Sequence, residues 1–221
     1  MIADRLLVFA ASPGVGAAQT QLTPHLTAAE AAALYEACLR DVIALAARER
    51  GRVELWFDGE AAEDRYFSDA FPHVTLRRQR DGHGGTRLAD AFARSFDDDA
   101  ERVIIIGSAV PTIPDGRLTA AFEDLREADA VVGPGLDGGQ YLIGLRSVAW
   151  PRAAALFRDP VWNTRTVLDA TLARAAQTAL ELRLLPGWYA IDRVEDIERA
   201  RLDALPQSHL AEWLRAHGEG G

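Results

Sequence analysis

Residues 103–106 read Val-Ile-Ile-Ile and are closed by Gly107-Ser108. Four consecutive β-branched apolar residues leave no polar face. That pattern suits a strand buried on both sides, in the middle of a parallel sheet. Parallel strands need long crossovers between them, usually helices. The flanking sequence supplies both. Strands are expected at residues 5–10, 53–57, 74–76, 130–133, 141–145 and 180–185. Helices are expected at about 27–48, 61–70, 86–96, 118–128, 151–157 and 164–176, with two more from Val194 onward. Thr27 and Glu30 form a capping box that opens the first helix. Such alternation predicts a three-layer α/β fold of Rossmann type, with an open, mostly parallel sheet and helices on both faces.

Length and composition bound the function. The chain has 221 residues, 48% hydrophobic and 26% charged, which fits one globular domain spanning 1–221. No apolar run reaches the ~18 residues of a membrane span. The opening Met1-Ile2-Ala3-Asp4-Arg5 leads straight into a strand-like run, without the pattern of a secretory leader. Cys38 is the single cysteine, so no internal disulfide or cysteine-based zinc site can form, and a cytoplasmic protein is expected. The formal net charge of −9 argues against a nucleic-acid partner. All basic residues are arginine, so no lysine can grip a phosphate.

In an open α/β sheet the ligand lies outside the carboxyl ends of the strands. Loops 10–22, 79–87, 107–112 and 133–140 belong at that edge, and all are rich in Gly, Pro and small polar residues. A binding crevice is therefore expected there. It is not a dinucleotide site, because Ser12-Pro13-Gly14-Val15-Gly16 is followed by Gln19 where a third glycine is needed. Without a lysine it is not a P-loop either.

Several segments resemble one family across nearly the whole chain. Residues Phe9 to Leu22 resemble an opening motif that runs Phe, Lys or Arg, Pro, Gly, then Lys-Thr-Arg-Leu. Gly107-Ser108-Ala109-Val110-Pro111 resembles Gly-Ser-Asp-Cys-Pro. Asp137-Gly138-Gly139-Gln140-Tyr141-Leu142-Ile143-Gly144-Leu145 resembles Asp-Gly-Gly-Tyr-Tyr-Leu-Ile-Gly-Leu. Trp162-Asn163-Thr164 resembles a Trp-Ser/Gly-Thr segment, and Ala190-Ile191-Asp192-Arg193 resembles Asp-Val-Asp-Thr. On these residues the chain is similar to the glycosyltransferase-like family formerly of unknown function, of the radical-SAM- or selenium-associated transferase type. The resemblance implies the GT-A-like fold of the nucleotide-diphospho-sugar transferase superfamily, and glycosyl or nucleotidyl transfer as the activity.

Transfer from a nucleoside di- or triphosphate requires charge neutralised on the phosphates, by a metal held on carboxylates and by basic side chains. The resemblance implies Mg²⁺ or Mn²⁺. Here the usual metal ligand position is Ala109, the first Asp of the late motif is Ala190, and the loop cations are Gln19 and Gln21. Asp192 alone is left as a metal candidate, so no cofactor is assigned. The glycine and proline framework is retained, as if the crevice kept its shape and lost its charge.

The phosphate and nucleotide contacts that the resemblance implies are Ser12, Pro13, Gly14, Gly16, Gln19, Thr20, Gln21, Gln79, Gly85, Arg87, Gly107, Ser108 and Ala109. Asp137 and Asp192 are the catalytic candidates. Asp137 is equally readable as a turn residue bonding to the glycines after it. Gly138, Gly139, Tyr141, Trp162 and Thr164 are candidates for an acceptor pocket. Trp56 and Trp188 read as core, the five histidines as surface, and Asp97-Asp98-Asp99 as a solvated turn. Three functions fit: a degraded transferase of low or no family-type activity, a non-catalytic subunit binding a nucleotide or a partner enzyme, and a metal-independent transferase. A homodimer is a further expectation.

Overall fold

The computed structural model describes residues 4–12, 22, 25–49, 51–59, 61–158 and 166–217, with the side chains of 61–63 aside. Strands β1 (Asp4–Ala10), β2 (Arg52–Phe57), β3 (Thr75–Arg78), β4 (Arg102–Gly107), β5 (Ala130–Pro134), β6 (Gln140–Arg146) and β7 (Leu182–Leu184) form one sheet. Its order is β3-β2-β1-β4-β6-β5-β7. Every neighbouring pair is parallel except the two made by β6, which runs antiparallel to β4 and β5. β6 departs because it follows β5 through a short hairpin, with no crossover helix to bring it round.

The helices are α1 (Ala28–Ala46), α2 (Ala61–Ala70), α3 (Gly84–Asp97), α4 (Arg117–Asp124), α5 (Trp150–Ala153), α6 (Val167–Gln177), α7 (Val194–Asp203) and α8 (His209–Ala216). The capping box forms as expected: Thr27 N–H donates to Glu30 Oε2 at 2.7 Å, and Glu30 N–H to Thr27 Oγ1 at 3.2 Å. Such a cap contributes about 1 kcal/mol. α3 starts two residues before the expected 86, because His83 caps it by accepting from the Thr86 N–H. The expected 151–157 helix is a single α turn followed by a 3₁₀ turn at Ala154–Phe157. The expected 180–185 strand shortens to β7 at the sheet edge.

The sheet is covered on both faces. On one, Leu6, Val8, Leu55, Ile104, Ile106 and Val131 pack under Leu39 and Val42 of α1, Phe67 of α2 and Phe122 of α4. On the other, Leu7, Trp56, Val103, Ile105 and Ile143 pack under Phe92 of α3, Phe157, and Val167 and Ala175 of α6. Alternate residues of β4 therefore feed opposite cores, and Val103 and Ile104 are both 0% exposed. Each such side chain contributes about 1.5–3 kcal/mol by burial. A third cluster, including Cys38, Tyr189, Ile191, Leu210 and Trp213, fixes α7 and α8 against α1. Its effect is to hold the 190–193 loop in place.

At the amino ends of the strands, Glu54 is fully buried and accepts from Trp56 Nε1 at 3.0 Å. Arg5 and Arg52 lie 3.4 and 3.3 Å from its carboxylate. Asp98 joins this network, 2.9 Å from Arg77 and 3.3 Å from Arg5. The middle residue of the expected solvated turn is thus a structural counter-ion. The Arg5 hydrogen bond, with the Arg77 and Arg5 charges, holds its carboxyl below the usual range. Among the described residues no helix is long and apolar enough to cross a membrane.

Candidate functional site

The carboxyl ends of β1, β2 and β4 open into a cleft of ≈ 960 Å³. Segments 9–11, 58, 79–88, 105–110, 135–143 and 190–193 all contribute to its lining. A second hollow of ≈ 820 Å³ shares Ala11, Asp58, Gln79 and Arg87 with it, and adds Ser12, Arg78, Arg80 and Asp81. The carboxyl ends of parallel strands, joined by loops free to vary, are where such folds bind ligands.

The α3 wall is organised by Asp58, the first polar residue beyond the apolar run of β2. Its Oδ1 accepts from the Ser12 N–H at 3.2 Å, and its Oδ2 from Arg87 at 2.6 Å. Arg87 also donates to the Gly82 carbonyl at 2.9 Å and to Gln79 Oε1 at 3.4 Å. Gln79 Nε2 in turn donates to the carbonyls of Trp56 and Ala10, at 2.8 and 3.3 Å. The Gln79 amide thus ties the ends of β1 and β2 together. Arg87 faces the cleft already paired. Gly84 lines the cleft, while Gly85 is buried in the first turn of α3.

The floor is the 107–110 segment. A Cβ added at Gly107 would meet nothing within 4 Å, so the backbone there is open to the cleft. Ser108 Oγ lies 2.9 Å from the Tyr35 hydroxyl, which also accepts from the Ala11 N–H at 2.8 Å and donates to the Ala11 carbonyl at 3.1 Å. Burial pushes the Tyr35 phenol up to about 12. Ser108 therefore braces the backbone of Ala11 through Tyr35. The Ala109 carbonyl accepts from the Ile191 N–H at 2.8 Å. That bond sets Ala109 beside the 190–193 loop, which sequence separates by about eighty residues. Asp196 Oδ2 accepts from the N–H groups of Asp192 and Arg193, at 3.2 and 3.0 Å, and fixes their backbones.

The β5–β6 hairpin forms the remaining wall. Asp137 Oδ1 accepts from the Gly139 N–H at 2.9 Å. A Cβ at Gly135 would lie 2.5 Å from that oxygen, and Gly138 takes a φ of +89°. One carboxylate oxygen of Asp137 is thus bound into its turn, which is the turn role that its sequence context also allows. The Gly133–Leu142 and Pro134–Gln140 pairs skip Tyr141. This bulge turns the Tyr141 ring over Gly133. Its hydroxyl accepts from Arg117 at 3.0 Å and donates to the Pro186 carbonyl at 3.2 Å. Tyr141 borders the cleft but is 4% exposed.

Pro13, Gly14, Gly16, Gln19, Thr20, Gln21, Trp162 and Thr164 lie outside the described residues. Of the others, Gln79, Arg87, Gly107, Ser108, Ala109, Asp137, Gly139, Tyr141 and Asp192 line the cleft, and Ser12 lines the adjoining hollow. Asp58, Arg80 and Arg193 also line these hollows, and sequence alone gives none of them a role, although Arg193 ends the late motif. Asp58 does carry a usable signal: a carboxylate at the carboxyl end of an expected parallel strand. Mg²⁺ and Mn²⁺ require several oxygen ligands. Positions 109 and 190 offer only methyl groups, and no three His, Cys, Asp or Glu residues cluster for a metal among the described residues. Among the described residues, the side chains do not fit a carboxylate-held divalent cation.

This sheet order, with a cleft at the strand ends, defines the nucleotide-diphospho-sugar transferase and cytidylyltransferase type of fold. A crystal structure from Desulfovibrio desulfuricans G20, described as a candidate nucleotide-diphospho-sugar transferase, superposes with a TM-score of 0.92. It is 27% identical over 99% of this chain and 96% of its own. CMP:2-keto-3-deoxy-manno-octonic acid synthetase complexed with CTP superposes at 0.59, with 12% identity over 90% of this chain and 97% of its own. Rv0371c from Mycobacterium tuberculosis H37Rv, in complex with manganese, superposes at 0.56, with 16% identity over 90% and 97%. The last two show likeness of fold alone. The chain belongs to DUF2064, a family described as an uncharacterized protein conserved in bacteria, whose profile matches residues 41–164. No curated protein matches it in sequence.

Proposed function

We propose that this chain binds a nucleotide or nucleotide sugar in its cleft, and that it is a degraded transferase with low or no metal-dependent activity. One observation carries the reading: the cleft is open and framed at the strand ends, yet its floor presents Ala109 and Ala190 beside Asp192. Shape is kept where a nucleotide would lie, and oxygen ligands are missing where a cation would be held. Asp192 and the outer oxygen of Asp137 are then the groups placed to touch an acceptor hydroxyl. With a lone Cys38, 0% exposed, nothing in the cysteine content calls for an oxidising compartment, and we place the protein in the cytoplasm.

The test is thermal unfolding against a panel of nucleotides and nucleotide sugars, each with Mn²⁺ and with chelator. A ligand at 100 times its dissociation constant adds about 2.7 kcal/mol. That corresponds to about 5–11 °C in a domain of this size. A shift with one nucleotide, equal in Mn²⁺ and in chelator, is the expected result. No shift with any member of the panel would reject the nucleotide cleft. Copurification with a partner enzyme would then point to a non-catalytic subunit.

A further inference from the structure

We propose that Arg193 supplies, as a fixed guanidinium, the positive charge that a divalent cation would otherwise bring to a diphosphate-bearing ligand in the cleft. The inference rests on the nucleotide reading above and assigns the residue that replaces the metal.

The argument begins with position. The Ile191 N–H to Ala109 carbonyl bond pins the 190–193 loop to the end of β4. Arg193 lines the same cleft as Ala109 and Ala190, the two positions where the resemblance has carboxylates, and it stands where the resemblance has threonine. Against the resembled motifs, the cleft lining thus carries two alanines in place of carboxylates and one additional cation. The backbone of Arg193 is held through Asp196 and the buried α7–α8 cluster, so the guanidinium starts from a rigid base.

Charge assignment points the same way. Arg87, across the cleft, is 2.6 Å from Asp58, so its charge is largely met. Arg193 meets the Asp196 carboxylate through its backbone N–H at 3.0 Å, its guanidinium takes part in no ion pair found among the described residues, and the residue is exposed. Asp137 and Asp192 keep the cleft from attracting anions as a whole, so positive charge has to be delivered locally. A guanidinium suits that role because it stays protonated at any working pH and its planar fork matches two phosphate oxygens at once. A metal bridges phosphate oxygens with two charges and strict geometry, whereas one arginine offers a single charge and looser geometry. Binding is therefore expected to be modest and independent of metal.

The experiment uses the full chain and isothermal titration calorimetry. The probes are inorganic pyrophosphate, the four ribonucleoside triphosphates and the four matching nucleosides, each in EDTA and in Mn²⁺. The wild type is expected to bind one triphosphate at least tenfold tighter than its nucleoside, with affinities in EDTA and Mn²⁺ within twofold. Arg193→Gln should lose that preference by about tenfold or more, the scale of one charge-assisted hydrogen bond. Arg193→Lys should fall between. Arg126→Gln, a surface change away from the cleft, serves as the control and should leave binding unaltered. Circular dichroism and melting confirm that each variant is folded. An intact triphosphate preference in Arg193→Gln, or a wild type that needs Mn²⁺, overturns the proposal. If a nucleoside binds but its phosphates add nothing, the role of Arg193 falls while the nucleotide cleft stands. If nothing binds, both fall.

Discussion

Gly133→Ala tests the geometry that shapes the hairpin wall of the cleft. A Cβ at this position would lie 2.4 Å from Tyr141 Cζ and 2.5 Å from its Cε1, well inside contact distance. The ring cannot retreat freely, because its hydroxyl is held by Arg117 at 3.0 Å and by the Pro186 carbonyl at 3.2 Å. Overpacking a core costs ~1–3 kcal/mol. Losing the two hydroxyl bonds adds a similar amount, given ~0.5–1.5 kcal/mol for a neutral bond and more for one to a charged group. The expected destabilisation is about 2–5 kcal/mol, or roughly 4–20 °C in Tm. Urea unfolding followed by tryptophan fluorescence gives the free energy directly. A double-mutant cycle with Tyr141→Leu isolates the cause. With the ring gone the methyl has room, so the double variant should be at least about 1 kcal/mol more stable than additivity predicts. A Gly133→Ala protein within 0.5 kcal/mol of wild type, roughly the scale of an ordinary surface change, would refute the reasoning, as would strict additivity with Tyr141→Leu.

Ala109→Asp combined with Ala190→Asp should place two new carboxylates beside Asp192. Mn²⁺ is then expected to raise Tm in the variant and not in the wild type, read by differential scanning fluorimetry with EDTA controls. Asp58→Asn removes the counter-ion of Arg87. Because that pair is about one-third exposed, stability should change by no more than about 1 kcal/mol, while pyrophosphate affinity measured by calorimetry should rise. A fall in affinity would show that Asp58 serves the ligand directly. Stability should also decline in alkali. Burial, with the Asp41 and Asp192 charges, pushes the Cys38 thiol up, and burial pushes Tyr35 and Tyr66 up to about 12. The unfolded chain releases these protons near pH 8.5 and 10, respectively, while the native state keeps them. Stability therefore falls above about pH 8.5 and more steeply above about 10, at ~1.4 kcal/mol per pH unit for each group. A urea midpoint that stays constant to pH 11 would contradict this. Native Cys38 should likewise resist thiol reagents until the protein unfolds.

The fold was largely legible because its signals are local. Four β-branched residues at 103–106 cannot satisfy any other common element as well, and both of their faces are buried as that run requires. The Thr27–Glu30 box marked a helix start because its donors and acceptors lie within one turn. The described residues of the four small-residue loops meet at one edge because parallel strands bring their carboxyl ends there, and each loop has described residues in the cleft lining. β6 escaped the alternation of strand and helix, since a hairpin and a crossover begin alike in sequence.

Residue chemistry within the cleft was less legible. The sequence by itself determined the strand–helix order, the edge where a ligand can bind, and the absence of lysine and of acidic side chains at 109 and 190. Tertiary structure alone decided which polar groups are already spent. Gln79 is bonded to two backbone carbonyls, Ser108 to Tyr35, Arg87 to Asp58, and one oxygen of Asp137 to its own turn. It also set Ile191 beside Ala109, through a single backbone bond across about eighty residues, and so brought Arg193 to the lining of the same cleft. The physical reason is range. Strand and helix propensities act between neighbours in the chain, whereas the availability of a charge depends on partners that only folding brings within hydrogen-bond distance.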